Sequence, residues 1–188
     1  SIPDVNSIHS IPELLNSQGL DKQITEKLRL KSKPANLNRW KKVSKLEKNR
    51  KGITKIALVG KYTELADSYK SVNEALVHAG IHNKREVEIE YFDSQNFNNG
   101  VKKFKPQGIL IPGGFGGRGI DGMINVAKFA RTKNIPFFGI CLGMQVAVIE
   151  FARNVLKISA NSTEFEKTTK HPVIALITEW MDKNCLLY

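Results

Sequence analysis

A chain of 188 residues that is 41% apolar and 25% charged has the make-up of a globular protein and the length of one ordinary domain plus a tail or linker. With no run of about 18 uncharged apolar residues and no basic-then-apolar leader, nothing marks it for a membrane or for secretion, and a cytoplasmic location is expected. The formal charge of +11 does not make it a nucleic-acid binder, because thirteen Lys or Arg fall between Lys22 and Lys55 against Glu26 and Glu47 alone, while the remainder holds sixteen basic and sixteen acidic residues; one basic stretch with a single aromatic, Trp40, reads as a solvated linker.

In chain order, Ile11-Pro12-Glu13-Leu14-Leu15 and then Ile24, Leu28 and Leu30 predict short helices separated by a stop at Gly19. Their apolar residues are too few for a core, so residues 1–30 are expected to belong to a neighbouring domain, joined by a Lys- and Asn-rich connector over 31–53. From Thr54 the pattern becomes alternating strand and helix. Ile56-Ala57-Leu58-Val59-Gly60 predicts a strand buried on both faces. Asp67 is placed to cap a helix carrying Val72, Ala75, Leu76 and Ala79 that stops at Gly80. Val87, Ile89 and Tyr91 alternate with Glu86, Glu88 and Glu90, as in a strand wet on one face. Gly108 to Pro112 predicts a third strand, followed by a glycine-rich loop and a helix with Met123, Ile124, Ala127 and Ala130. Pro136 to Ile140 predicts a fourth, followed by a helix through Val146, Ile149 and Phe151, and Val173 to Ile177 a fifth. Repeated strand-helix units with short links imply an α/β fold, a parallel sheet with helices on both faces, over 54–188.

Gly139-Ile140-Cys141-Leu142-Gly143 has the Gly-x-nucleophile-x-Gly form at a strand-to-helix turn. Such a turn is tight enough to strain the nucleophile's backbone and to exclude side chains two positions to either side. Cys141 is therefore expected at the carboxy end of the sheet, where α/β proteins bind ligands, beside a helix start that stabilises negative charge. A buried packing cysteine is the plainer alternative. Pairing with Cys185 is the less favoured use, since a nucleophile needs a free thiol and cytoplasmic thiols stay reduced.

Pro112-Gly113-Gly114-Phe115-Gly116 follows the neighbouring strand, so its amides can reach the same sheet edge. Acyl transfer needs donors aimed at an oxyanion, and the N–H groups of Gly114 and Leu142 are the natural pair. Gly114-x-Gly116-x-x-Gly119 also satisfies a dinucleotide fingerprint. Against that, the acidic residue expected about 20 positions on is missing, since Gly139 to Cys141 stand there. No Gly-Lys-Ser/Thr ends the loop, so it is no phosphate-gripping Walker loop either.

The elbow with Met144-Gln145, together with residues 112–116, resembles the class I, triad-type glutamine amidotransferases. Val59-Gly60-Lys61-Tyr62, Asp67-Ser68-Tyr69-Lys70-Ser71, Asn161-Ser162-Thr163-Glu164-Phe165 and Leu176-Ile177-Thr178-Glu179-Trp180 narrow the likeness to the CTP synthases among them, in family order over nearly the whole chain. The resemblance implies a flavodoxin-like glutaminase domain that feeds ammonia to a synthetase domain aminating UTP with ATP and Mg²⁺, in pyrimidine nucleotide biosynthesis. Residues 1–30 would be the helical end of that synthetase domain, and the full-length parent a homo-oligomer. It implies Cys141 as nucleophile, Gly114 and Leu142 as oxyanion donors, and Gly114, Phe115, Leu142, Gly143, Met144, Gln145 and Glu164 as the glutamine site. Glu164 suits the substrate's ammonium as a charged acceptor. Gly116, Gly117, Arg118 and Gly119, in the segment reaching Asp121, would form a lid loop. No metal is expected, and no cofactor in these residues.

The pattern breaks at the base. The family takes its histidine and glutamate from a downstream His-Pro-x-Glu-like segment. His171-Pro172 is followed by Val173 and Ile174 and enters a different segment, while His9, His78 and His82 have no reason to approach the elbow. Residues 182–188 depart from the family's continuation, so an incomplete carboxy end and weak or absent activity of this piece alone are expected. A non-catalytic amidotransferase-like regulatory subunit, or another cysteine hydrolase on the same elbow, remain the alternatives.

Overall fold

A computed structural model of the chain describes residues 4–61, 66–176, 180–182 and 185–187. Two compact units divide it, one holding residues 1–53 with 75–86 and the other residues 54–74 with 87–188.

The first unit is helical. A short 3₁₀ turn, Ile8–Ser10, leads into α1 (Ile11–Ser17) and α2 (Leu20–Lys27), parted by Gly19 at φ 72°, a left-handed conformation that glycine adopts without steric cost. The basic connector is not without structure. Asn38–Lys48 forms α3, whose buried Ser44 donates to the carbonyl of His9 (3.1 Å). His9, only 8% exposed, places Nδ1 3.3 Å from Glu47 and Nε2 3.3 Å from Nε2 of His78.

The second unit carries the sheet. In chain order the elements from residue 53 onward begin with β1 (Ile53–Gly60), a 3₁₀ turn (Ala66–Tyr69), α4 (Lys70–His82, of which residues 75–82 belong to the first unit), β2 (Glu86–Asp93), α5 (Phe97–Phe104) and β3 (Gly108–Ile111). They continue with α6 (Ile120–Thr132), β4 (Phe137–Gly139), α7 (Leu142–Asn154), β5 (Ala160–Ser162), β6 (His171–Ile174), β7 (Trp180–Asp182) and β8 (Cys185–Leu187). The sheet order is β2-β1-β3-β4, with β3 parallel to both β1 and β4. This is the parallel α/β arrangement expected, with the strand order of flavodoxin-like folds. The continuous apolar run of β1 is buried from Ala57 to Gly60, whereas β2 alternates exposed and half-buried residues as the edge strand it is. Leu58, Ile109, Ile111, Val126, Val146 and Ile149 are 0–2% exposed, each contributing about 1.5–3 kcal/mol by leaving water.

Four details differ from the sequence expectation. Helix α4 does not stop at Gly80 but continues to His82. Helix α5 was not anticipated, because Asn98, Asn99 and Gly100 mask the i, i+4, i+7 stripe of Phe97, Val101 and Phe104; all three are at most 6% exposed. Phe151 is 48% exposed while Val146 and Ile149 are sealed, since Phe151 lies well round the helix from the Val146–Ile149 line at about 100° per residue. The last strand of the expectation begins earlier, at His171, and pairs in parallel with β5 in a separate two-stranded sheet rather than joining the main one. Its expected end, Ile177, lies outside the described residues.

Candidate active site

Strand register brings the two key loops together. Ile111 at the end of β3 is the partner of Gly139 at the end of β4, so the segments leaving both strands share one sheet edge. The amide of Ile140 donates back to the carbonyl of Ile111 (2.9 Å), the amide of Gly143 donates to the carbonyl of Ile140 (2.9 Å), and that of Gln145 to the carbonyl of Cys141 (3.1 Å). The chain therefore reverses within three residues and enters α7 at once.

Cys141 sits at the apex with φ 52° and ψ −103°. Positive φ in a residue with a side chain is strained, and such strain persists only where the surroundings impose it. The neighbours that impose it are visible. A Cβ on Gly143 would lie 2.9 Å from the carbonyl carbon of Ile111, and one on Gly139 would lie 2.5 Å from the amide nitrogen of Met144. Both obstacles are backbone, which cannot swing aside. The thiol itself is free and exposed, and among the described residues it makes no side-chain hydrogen bond. The side chain of Cys185 lies outside the described residues.

The glycine loop faces this apex. A Cβ on Gly113 would touch that of Cys141 at 3.6 Å, and one on Gly114 would press on Leu142 Cδ2 at 3.3 Å. The loop is held from below by Lys61, which follows β1 directly. Its Nζ donates to the carbonyls of Phe115 (3.0 Å) and Gly116, and its own carbonyl accepts from Arg118 Nη2 (2.6 Å). Lys61 is only 6% exposed. Burial pulls its ammonium below the ordinary 10.5, with Glu164 opposing the shift and Arg118 adding to it.

Glu164 reaches the loop from the β5–β6 sheet. Its amide donates to buried Ser162 Oγ (3.1 Å), and its carboxylate accepts from the amide of Gly116 (3.4 Å). Phe115 is 85% exposed and Met144 53%, while Leu142 and Gly143 are buried at the start of α7. Gln145 Oε1 is buried without a hydrogen-bond partner among the described residues, a costly state for an acceptor that nothing satisfies. Behind the site, buried Glu150 of α7 takes two short bonds from Arg131 of α6, at 2.7 and 2.9 Å.

The residues singled out in the sequence thus fall into two groups. Cys141, Gly114, Leu142, Gly116 and Glu164 gather around one sheet edge. His171 is exposed at the start of β6 and no described histidine or carboxylate hydrogen-bonds the thiol. Lys61 was visible in the sequence only as part of the Val59-Gly60-Lys61-Tyr62 string; its signal was a charged residue directly after the buried end of a strand, at the ligand end of the sheet.

The elbow, the facing glycine loop and the strand order are those of an amidotransferase, and the family model for class I glutamine amidotransferases matches residues 64–177. The chain belongs to that family. More particularly, it is similar to the glutaminase domain of CTPS from Trypanosoma brucei, solved with bound acivicin, with 43% sequence identity and a TM-score of 0.60. That match covers 66% of this chain and 50% of the trypanosomal one, so the chain spans about half the length of its relative.

Proposed function

We propose that this chain carries the glutamine-binding nucleophile of a CTP synthase, with Cys141 attacking the side-chain amide of glutamine to release ammonia for the amination of UTP. The observation that carries the reading is the exposed Cys141 at positive φ beside Gly113, with Gly114 against Leu142. In the first step sulfur bonds to the amide carbon and the carbonyl oxygen becomes an oxyanion, for which the amides of Gly114 and Leu142 are the donors. Collapse expels ammonia, protonated as it leaves, and gives a glutamyl thioester; water then adds, sulfur leaves, and glutamate and the free thiol result.

Support for substrate binding comes from Glu164, a carboxylate beside the loop that suits the ammonium of an amino acid. Gln145, four residues beyond Cys141, offers an unpartnered acceptor. Phe115 and Met144 are exposed apolar neighbours, and Gly116 to Gly119 form the lid. On this reading residues 1–30 belong to the synthetase part and 31–53 connect the two, in keeping with a family match that begins at residue 64. Among the described residues no histidine or carboxylate hydrogen-bonds Cys141, so slow turnover by these 188 residues alone is expected.

The test is covalent labelling followed by peptide mass spectrometry. Acivicin, which the trypanosomal relative binds, should modify Cys141 alone, and glutamine should protect it. Equal modification of Cys141 and Cys185, or indifference to glutamine, overturns the proposal. Glutamate release at the rate of an intact amidotransferase would refute the expected weakness of this piece.

A further inference from the structure

We infer that Lys61 is a positioning residue that fixes the glycine loop opposite Cys141, and so sets the reactivity of the thiol towards glutamine-like substrates. The inference deepens the proposed function and rests on it. Three observations combine. The loop from Gly113 to Gly119 contains five glycines in seven residues, and ordering a residue's backbone costs conformational entropy, most of all for glycine. Such a loop holds its amides towards a substrate only if both ends are anchored. One end is anchored by β3, which terminates at Ile111.

The other anchor is Lys61. Its ammonium grips the carbonyls of two successive residues, Phe115 and Gly116, and so fixes two consecutive peptide planes. Arg118 closes the latch in the reverse direction by donating to the carbonyl of Lys61. Lys61 follows β1, and β1 is paired to β3 through Leu58 and Leu110. The loop is thereby tied to two adjacent strands of one sheet, at its start by β3 and at Phe115, Gly116 and Arg118 by the residue that follows β1, with Gly113 and Gly114 held between these ties.

The location is chemically telling. A largely covered ammonium is unfavourable unless its donors are used, and among the described residues the acceptors of Lys61 are carbonyls of the loop, with the Glu164 carboxylate near enough to favour the charge. A side chain kept for stability alone would be apolar at this place. Removing the charge should therefore leave the fold intact and slacken the loop, and a displacement of about 1 Å in a reacting geometry can cost about a hundredfold in rate.

The experiment compares wild type, Lys61→Met and Arg118→Met in the full 188-residue chain. Three readouts are taken: thermal midpoint, labelling rates of Cys141 by acivicin and by iodoacetamide, and amide hydrogen exchange over residues 113–117. Expected for Lys61→Met are a thermal midpoint no lower than wild type, acivicin labelling slowed at least tenfold, iodoacetamide labelling changed less than twofold, and faster exchange confined to the loop. Arg118→Met, at an exposed position that folding tolerates, should move the same readouts in the same direction by less. Wild-type acivicin labelling and exchange in Lys61→Met would overturn the inference. So would a lowered midpoint with both reagents affected alike, which marks a merely structural role. Should wild-type labelling ignore glutamine, the glutaminase reading has failed, and the exchange comparison alone decides whether Lys61 holds the loop. Should Lys61→Met not fold, unchanged loop exchange in Arg118→Met overturns the latch and accelerated exchange supports it.

Discussion

Replacing Gly143 by alanine is the sharpest test of the elbow as a steric device. The new Cβ would stand 2.9 Å from the carbonyl carbon of Ile111 and 3.0 Å from its Cβ, with the carbonyl oxygen closer still; ordinary contact begins at 3.4 Å. The first turn of α7 must then retreat from β3 by at least about 0.5 Å, the deficit at carbon alone. Overpacking of this kind costs about 1–3 kcal/mol, and alanine's better helix propensity returns about 1 kcal/mol. The net is a loss of up to about 2 kcal/mol, a fall of up to about 8 °C in thermal midpoint for a chain of this size. Because the retreat carries Cys141 and the Leu142 amide with it, acivicin labelling should slow by tenfold or more. Gly117→Ala is the control, since a Cβ there meets nothing within 4 Å and its φ is not positive; it should stay within about 0.5 kcal/mol of wild type. Both are read by circular dichroism and by labelling kinetics. A Gly143→Ala protein with wild-type stability and reactivity would refute the steric account.

Glu164→Gln keeps the shape and the acceptor to Gly116 but removes the charge proposed for the substrate's ammonium; glutamine protection of Cys141 should weaken about tenfold to a hundredfold, from the roughly 1.5–3 kcal/mol of a charged hydrogen bond, as measured by competition labelling. Phe97→Ala empties a site that is 3% exposed and edge-packed on Phe92 and Phe129 at 5.7 and 5.6 Å; a loss of about 3–5 kcal/mol is expected in urea unfolding. Arg131→Met leaves the Glu150 carboxylate buried without its bonds from the guanidinium, so the midpoint of thermal unfolding should drop, with Arg131→Lys restoring only part because an ammonium cannot reproduce the guanidinium fork.

The parts of the fold legible in the sequence were those where local pattern and tertiary demand agree. The alternating 86–91 and the stripe Met123, Ile124, Ala127, Ala130 each carry a period that only one element type satisfies, and the apolar run 56–60 has the shortness of a strand covered on both faces. Helix α5 hid because Gly100 sits in it for tertiary reasons; a Cβ there would lie 2.6 Å from the Phe92 ring. Strand β5 is three residues long, too short for any period. The elbow was legible because its two glycines are forced by backbone, not by side chains that could vary. The work of Lys61 was not, since its acceptors lie 54 and 55 residues away and only the pairing of β1 with β3 brings them near.

The central claim is that the Gly114 and Leu142 amides converge on the oxygen of the carbonyl that Cys141 attacks. A crystal structure of the chain with an aldehyde analogue of glutamine, which traps the thiol as a tetrahedral thiohemiacetal, measures this directly. The account predicts a bond from Cys141 Sγ to the aldehyde carbon, with the oxygen about 2.7–3.1 Å from both amide nitrogens. An adduct on another residue, or an oxygen turned to solvent away from those two amides, would contradict it.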